Sequence, residues 1–442
     1  MEIIATVAMS LQRLLVEWAE TSSEASGVIQ RKRKFSAGSL AQTFVFGFLA
    51  KPKASDEDLA QLAGLCGVDV TPQGVRQRFT WPLVKFLEDL FQKAIRCVVG
   101  SEKALAPLLE RFTSVEILDS TTITLPETLE DRFPGCGGSH GGGRAAMKLQ
   151  VQWDLRSGSF SALSVEPGRD CDLKTPLQRS RLLPGALRIT DLGYFDTAVF
   201  ERFLGEGVFW LSRLLFGTRV FTSEGESLSL LAWLGGQTGR FVDGPLLLGS
   251  ERRVPCRLIA WRVPPEVANR RRQKLITTTR RKDGRTPSRE RLAWCDWSLL
   301  VTNVPTEKLA PREAVALYRA RWQIELVFKR WKSLGLVAEL TGTTAVEQLV
   351  RLWSRLLAVV VQHWLLLASV WQDGRHSLTK ASEAIRHYAP WIALALPDPT
   401  KMIEVIQSLS QVLQVTTRQP KRKRATTFQL LNDVTKLKYS LT

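Results

Sequence analysis

The chain has 442 residues, 44% of them hydrophobic, with 61 Lys plus Arg against 43 Asp plus Glu, a formal charge of +18 and a pI near 9.9. That length and apolar content exclude an intrinsically disordered chain and predict two to four globular domains. The excess of cations favours a polyanionic partner, with nucleic acid ahead of an anionic membrane surface.

Other classes drop out on similar grounds. The longest apolar run, Leu356 to Trp371, is interrupted by Gln362 and His363 and is shorter than the roughly 20 residues that cross a bilayer. It reads as a buried core helix. No secretory signal pattern opens the sequence, so a cytoplasmic address and no membrane partner are expected. The six cysteines (66, 97, 136, 171, 256, 295) form no CxxC pair, and the four histidines are scattered, so neither a disulfide framework nor a zinc site is expected.

In chain order, MSLQRLLVEWAE (9–20) has the period of an amphipathic helix, and RKRKF (31–35) reads as a basic loop. Asp56 to Cys66 reads as a helix, GVDV as a turn, and Thr71 as the cap of a second helix that begins at Pro72 and carries Gln73, Arg76, Gln77 and Arg78. That outline fits a helix-turn-helix, with Gln73, Arg76 and Arg78 as candidate DNA contacts; an ordinary packed helix pair has the same outline.

Strand signals follow: SVEILDSTTITLP from Ser114, then AAMKLQVQWDL and GSFSALSVEP, a pattern that predicts an antiparallel meander. The Gly-rich FPGCGGSHGGG between the first two lacks the GKS/GKT ending of a phosphate loop. A helix is predicted at 172–182, a strand in ALRIT before Asp191, a helix at 196–204 and a strand in GVFWLSRL, where Arg213 is a candidate DNA contact or a plain surface cation. This order matches a ribonuclease-H-like α/β core, although several α/β folds share it. Residues 214–296 read as a β-rich insertion carrying a basic stretch, NRRRQKLITTTRRKDGR. WSLLVTNVP is the next strand, and Pro311 starts a long helix.

That helix contains YRARWQIELVFKRWKSLG. Tyr318, Arg321, Glu325 and Lys332 fall within one sector about 60° wide at 100° per residue, while Leu317, Ile324 and Trp331 form an apolar stripe one residue back. A solvated face paired at i,i+4 would show the same stripe. Asp119 and Asp191, each directly after an apolar strand, add two carboxylates. Three carboxylates without His or Cys suit hard Mg²⁺ or Mn²⁺, and two such ions suit in-line phosphoryl displacement.

The spacing Y-x2-R-x3-E-x6-K at Tyr318, Arg321, Glu325 and Lys332 resembles the signature of the DDE transposases of the insertion-sequence-four family. LDST around Asp119 and DLGYF from Asp191 are similar to that family's other two catalytic segments. The resemblance, spanning about residues 30–370, implies that Asp119, Asp191 and Glu325 bind two Mg²⁺ or Mn²⁺ ions, and that Tyr318, Arg321 and Lys332 hold phosphates near a transposon end. It further implies that Trp297 stacks on a flipped base, with Trp294 as rival and a core aromatic as the plainer alternative. The expected activity is cut-and-paste transposition on double-stranded DNA by a protein that dimerises on it. A transposase-derived repressor or a structure-selective nuclease are the alternatives.

The expected organisation is a helical DNA-binding region (1–110), a first core segment (111–213), the β-rich insertion (214–296), a second core segment with the catalytic helix (297–340) and a helical C-terminal region with a role in oligomerisation (341–442).

Overall fold

The structure, a computed structural model, describes residues 2–30, 34–101, 106–137, 143–239, 241–371, 373–420 and 425–437. Parts of the basic loop 31–35, of the Gly-rich connection and of the basic cluster RQPKRKR (418–424) therefore lie outside the described residues. The chain divides into two compact units, residues 1–103, 120–170 and 324–422 in the first and 104–119, 171–323 and 423–442 in the second.

The strands are β1 (Val115–Leu125), β2 (Ala145–Asp154), β3 (Phe160–Pro167), β4 (Leu187–Thr190), β5 (Phe209–Arg213), β6 (Val220–Phe221), β7 (Phe241–Leu248), β8 (Val254–Arg262) and β9 (Trp297–Thr302). The chain passes from one unit to the other after Asp119, inside β1, and after Gln323, inside the helix Trp322–Ser333.

In the first unit, β2 and β3 pair antiparallel with a bulge between Gln152 and Trp153. The helix Ala345–Leu367 packs on Trp81–Arg96 and Ala37–Ala50. Its length and apolar content would let it cross a membrane, yet 94% of its most apolar window is buried inside the structure. Trp353 and Trp364 are fully enclosed, and each such aromatic removes a large apolar area from water.

The N-terminal pair of helices is also here. Asp56–Leu65 is closed by a Ser55 capping box, and Thr71 accepts a hydrogen bond from the Gly74 amide to start Pro72–Arg76. The second helix has only five residues.

In the second unit, the start of β1 runs parallel to β4 and β4 parallel to β5, while β5–β9, β9–β8, β8–β7 and β7–β6 are antiparallel. The core joins both parts of this sheet through Trp210, Leu258, Val301 and their neighbours, with Phe200 stacked on Trp210 at 4.1 Å.

Three elements differ from the sequence reading. Residues 172–182 hold two 3-10 turns, Asp172–Lys174 and Pro176–Arg179, in place of a helix, because Pro176 biases Thr175 away from helical angles. The basic stretch in 214–296 folds as a 19-residue helix, Pro265–Asp283, whose cations on nearly every side mask a helical period. The long helix after Pro311 is likewise divided, as Pro311–Ala320 and Trp322–Ser333, with Arg321 at the junction in helical conformation.

Candidate active site

The register of β1 on β4 sets Leu118 opposite Thr190. Asp119 and Asp191 are therefore the next residues on adjacent parallel strands, whose backbones lie about 4.8 Å apart. Both segments are fully buried up to that point, Glu116, Arg188 and Thr190 included, and both become half-buried at the aspartate. Asp191 then turns the chain: its carboxylate accepts a 2.5 Å hydrogen bond from the Leu192 amide and starts the turn Leu192–Tyr194.

Each carboxylate has a guanidinium partner. Arg321 donates to Asp119 at 2.5 Å, with 14% and 15% of the two side chains exposed, and Arg213 donates to Asp191 at 3.1 Å in a more open pair. Burial alone would raise the Asp191 pKa, but the Leu192 amide and the charges of Arg321 and Arg213 outweigh it, and the pKa lies below the ordinary carboxylate value. The Tyr318 side chain is largely buried beside these cations. Desolvation raises its pKa against the opposing pull of Arg213, so the phenol stays protonated at neutral pH.

A cavity of about 700 Å³ opens beside this group, entirely within the second unit. Trp261, Trp294, Trp297 and Trp322 contribute aromatic walls, and Arg213, Arg271, Arg291 and Arg321 contribute guanidinium groups. Trp297 is 8% exposed, with the Arg262 guanidinium 5.1 Å from its ring centre and its carbonyl bonded to Arg271. Trp294 packs edge-on to Phe216 at 5.2 Å, and Trp322 is 56% exposed.

The first unit carries the other predicted residues. Glu325 and Lys332 lie half-buried on Trp322–Ser333, with Ile324 and Trp331 buried as the apolar stripe requires. Lys332 donates to the Thr122 carbonyl at 2.7 Å, and burial lowers its pKa. Gln73 is exposed. Arg76 is ion-paired with Glu347 and with Asp56, and Arg78 lies over the Phe35 ring at 5.5 Å.

Aspartate oxygens on neighbouring strands, where the parallel pairing stops, are the hard donors that Mg²⁺ or Mn²⁺ takes, so the donor chemistry fits a divalent ion. Among the described residues no three His, Cys, Asp or Glu side chains gather as a metal cluster.

Residues 110–361 match the family described as Transposase DDE domain. The chain is 29% identical over 348 residues to the transposase for insertion sequence element IS231F of Bacillus thuringiensis subsp. israelensis, covering 73% of this chain and 72% of that protein. It is 30% identical over 333 residues to the IS231C transposase of Bacillus thuringiensis subsp. berliner, covering 70% and 68%. The IS1151 transposase of Clostridium perfringens is 24% identical over 374 residues, covering 78% and 76%.

The chain belongs to the DDE transposase family. The matched span of this transposase contains Asp119, Asp191, Arg213, Trp297 and the whole Tyr318–Lys332 signature. Residues that sequence reasoning did not single out are Arg271, Arg291, Trp261 and Trp322. Spread over 62 positions, from 261 to 322, they leave no motif, and only the cavity gathers them.

Proposed function

We propose that this transposase excises its element from donor DNA and joins the ends to a target, reading terminal inverted repeats as a homodimer on DNA in the cytoplasm. The observation that carries the reading is the pair Asp119 and Asp191, each directly after the last paired residue of the parallel stretch shared by β1 and β4, and each met by an arginine. In this reading the strands form a ribonuclease-H-like core and residues 214–296 an insertion within it.

Asp119, Asp191 and Glu325 hold two Mg²⁺ or Mn²⁺ ions. Bound there, such ions supply activation of a water and charge stabilisation at the leaving oxygen of an in-line displacement. Arg321 and Arg213, which meet the two aspartates in this structure, would bind phosphate oxygens when a metal pair held by those carboxylates takes their place, because two guanidinium groups match phosphate geometry. The protonated Tyr318 hydroxyl and Lys332 donate to neighbouring phosphates and fix the scissile bond in line. Trp297, or Trp294 beside it, stacks on an extruded base. Gln73, Arg76 and Arg78 contact the repeat, Arg76 exchanging its internal carboxylate for DNA.

The test is a labelled duplex containing the repeat and its flank, incubated with protein and Mg²⁺. Cleavage at the repeat boundary is expected. Glu325→Gln should keep binding and lose cleavage, as it removes a charged oxygen ligand at constant volume. Binding without cleavage by the native protein would leave a repressor, and cutting regardless of end sequence a nuclease.

A further inference from the structure

The helix Pro265–Asp283 belongs wholly to the second unit and treats its cations in two ways. Facing inward, Arg271 donates to the Trp297 carbonyl and the Ser298 hydroxyl at 3.0 Å, and Arg272 binds Asp296 and the Leu292 carbonyl. These two hold the helix to β9 and the segment before it. Arg271 and Leu275 also line the cavity beside Tyr318 and Arg321.

Facing outward, Arg270, Lys274, Arg280, Arg281 and Lys282 are exposed, and among the described residues none of the five is ion-paired with a carboxylate. Arg270, Lys274 and Arg281, with the exposed Thr277, lie in one sector roughly 60° wide that runs about 16 Å along the axis. The helix dipole favours cations in the last turn and so accounts for Arg280, Arg281 and Lys282. It does not account for Arg270 and Lys274, which sit a turn apart near the start and repel each other. Glu266 lies one turn before Arg270 and offsets part of that charge, but the sector remains net positive, a charge that a bound anion would offset.

We propose that this outer face is a sequence-independent clamp for the phosphate backbone of duplex DNA, extending the DNA path from the cavity on the helix's inner side. About 16 Å matches roughly five base pairs at 3.4 Å each. Long flexible cations with a hydroxyl between them contact phosphates without selecting bases. The inference rests on the transposase reading above for its choice of polyanion.

The experiment compares the full chain with the triple variant Arg270→Gln, Lys274→Gln, Arg281→Gln and a control triple, Arg252→Gln, Arg375→Gln, Lys401→Gln, which removes the same charge elsewhere. Far-UV circular dichroism verifies the fold of each. Affinity for a repeat-containing duplex and for a scrambled duplex is measured from 50 to 200 mM salt. Loss of three phosphate contacts makes the salt slope shallower by about 2.7, so the helix variant loses about 40-fold less affinity over that range than the native protein. Both duplexes respond alike, and the control keeps the native slope. A helix variant with the native slope, or a control with an equally reduced one, overturns the clamp. If the native protein fails to cut at the repeat boundary while the slopes still separate, the function reading falls and the clamp stands.

Discussion

Replacing Arg321 by Gln separates a structural ion pair from a metal site. The Arg321–Asp119 pair is 2.5 Å long with only 14% and 15% of its side chains exposed, so removing the cation strands a poorly hydrated carboxylate next to Asp191. Breaking a fully buried pair costs about 3–5 kcal/mol; the residual exposure reduces this to about 2–3 kcal/mol. The expected result in urea denaturation without divalent metal is a loss of that size. Saturating Mg²⁺ should narrow the gap by at least about 1 kcal/mol, because a cation on Asp119 replaces the lost charge and binding to the native state stabilises it by mass action. First-strand cleavage should fall about 100-fold or more, the usual cost of losing one preorganised charge donor. Equal stability of variant and native protein without Mg²⁺ would show that the pair holds nothing together. A deficit that Mg²⁺ leaves unchanged would make Asp119 structural and refute its role as a ligand.

Arg76→Ala is expected to lower stability by about 1 kcal/mol despite its exposed position, because Glu347 is well buried; in a double-mutant cycle Glu347→Gln should then add little, and full additivity would count against the pair. At Gly335, a Cβ would lie 2.4 Å from Val359 Cγ1 and 2.7 Å from the Trp331 carbonyl, so Gly335→Ala should cost about 1–3 kcal/mol by thermal or urea unfolding, an outcome that an unchanged midpoint would contradict. His363 donates from a buried ring to the Gly158 carbonyl at 2.7 Å, and desolvation pushes its pKa down to about 3. The unfolded chain then binds the extra proton below about pH 6.5, so native stability drops on acidification, by about 2 kcal/mol between pH 7 and pH 5 from this group. His363→Gln, which keeps a donor, should flatten that dependence, and an unaltered pH profile would place the loss elsewhere.

The parts of the fold visible in the sequence are those with a local cause. The runs Val115–Leu118 and Leu187–Thr190 were legible as strands because parallel pairing buries both faces of each, and that burial lapses at Asp119 and Asp191, where the pairing stops. The stripe from Tyr318 to Lys332 was visible because a helix repeats every 3.6 residues, and its apolar companions Leu317, Ile324 and Trp331 are all buried. What stayed hidden has causes distant in sequence. Nothing near Arg76 announces Glu347, which lies 271 positions away. Nothing in a polar, Arg-rich segment separates a helix from a solvated loop until its inner arginines find Asp296 and Ser298. The burial of Trp297 depends on β8 and on Arg262, neither adjacent in the chain.

The pairing of β5 with β9, which brings Leu211 beside Thr302, bears on where this chain can be edited. Residues 214–296, which add β6, β7 and β8 to the sheet, begin and end on the neighbouring strands β5 and β9, so lengthening a loop within that segment stretches a connection whose ends are already held together, at a cost that rises only with the logarithm of loop length. A single residue added between Val115 and Asp119 has the opposite character. Side chains alternate across a strand, and one step would carry the carboxylate to the other face of the sheet. A reporter domain or affinity tag therefore belongs in the turns of 214–296, whereas β1 admits substitution but no change in length.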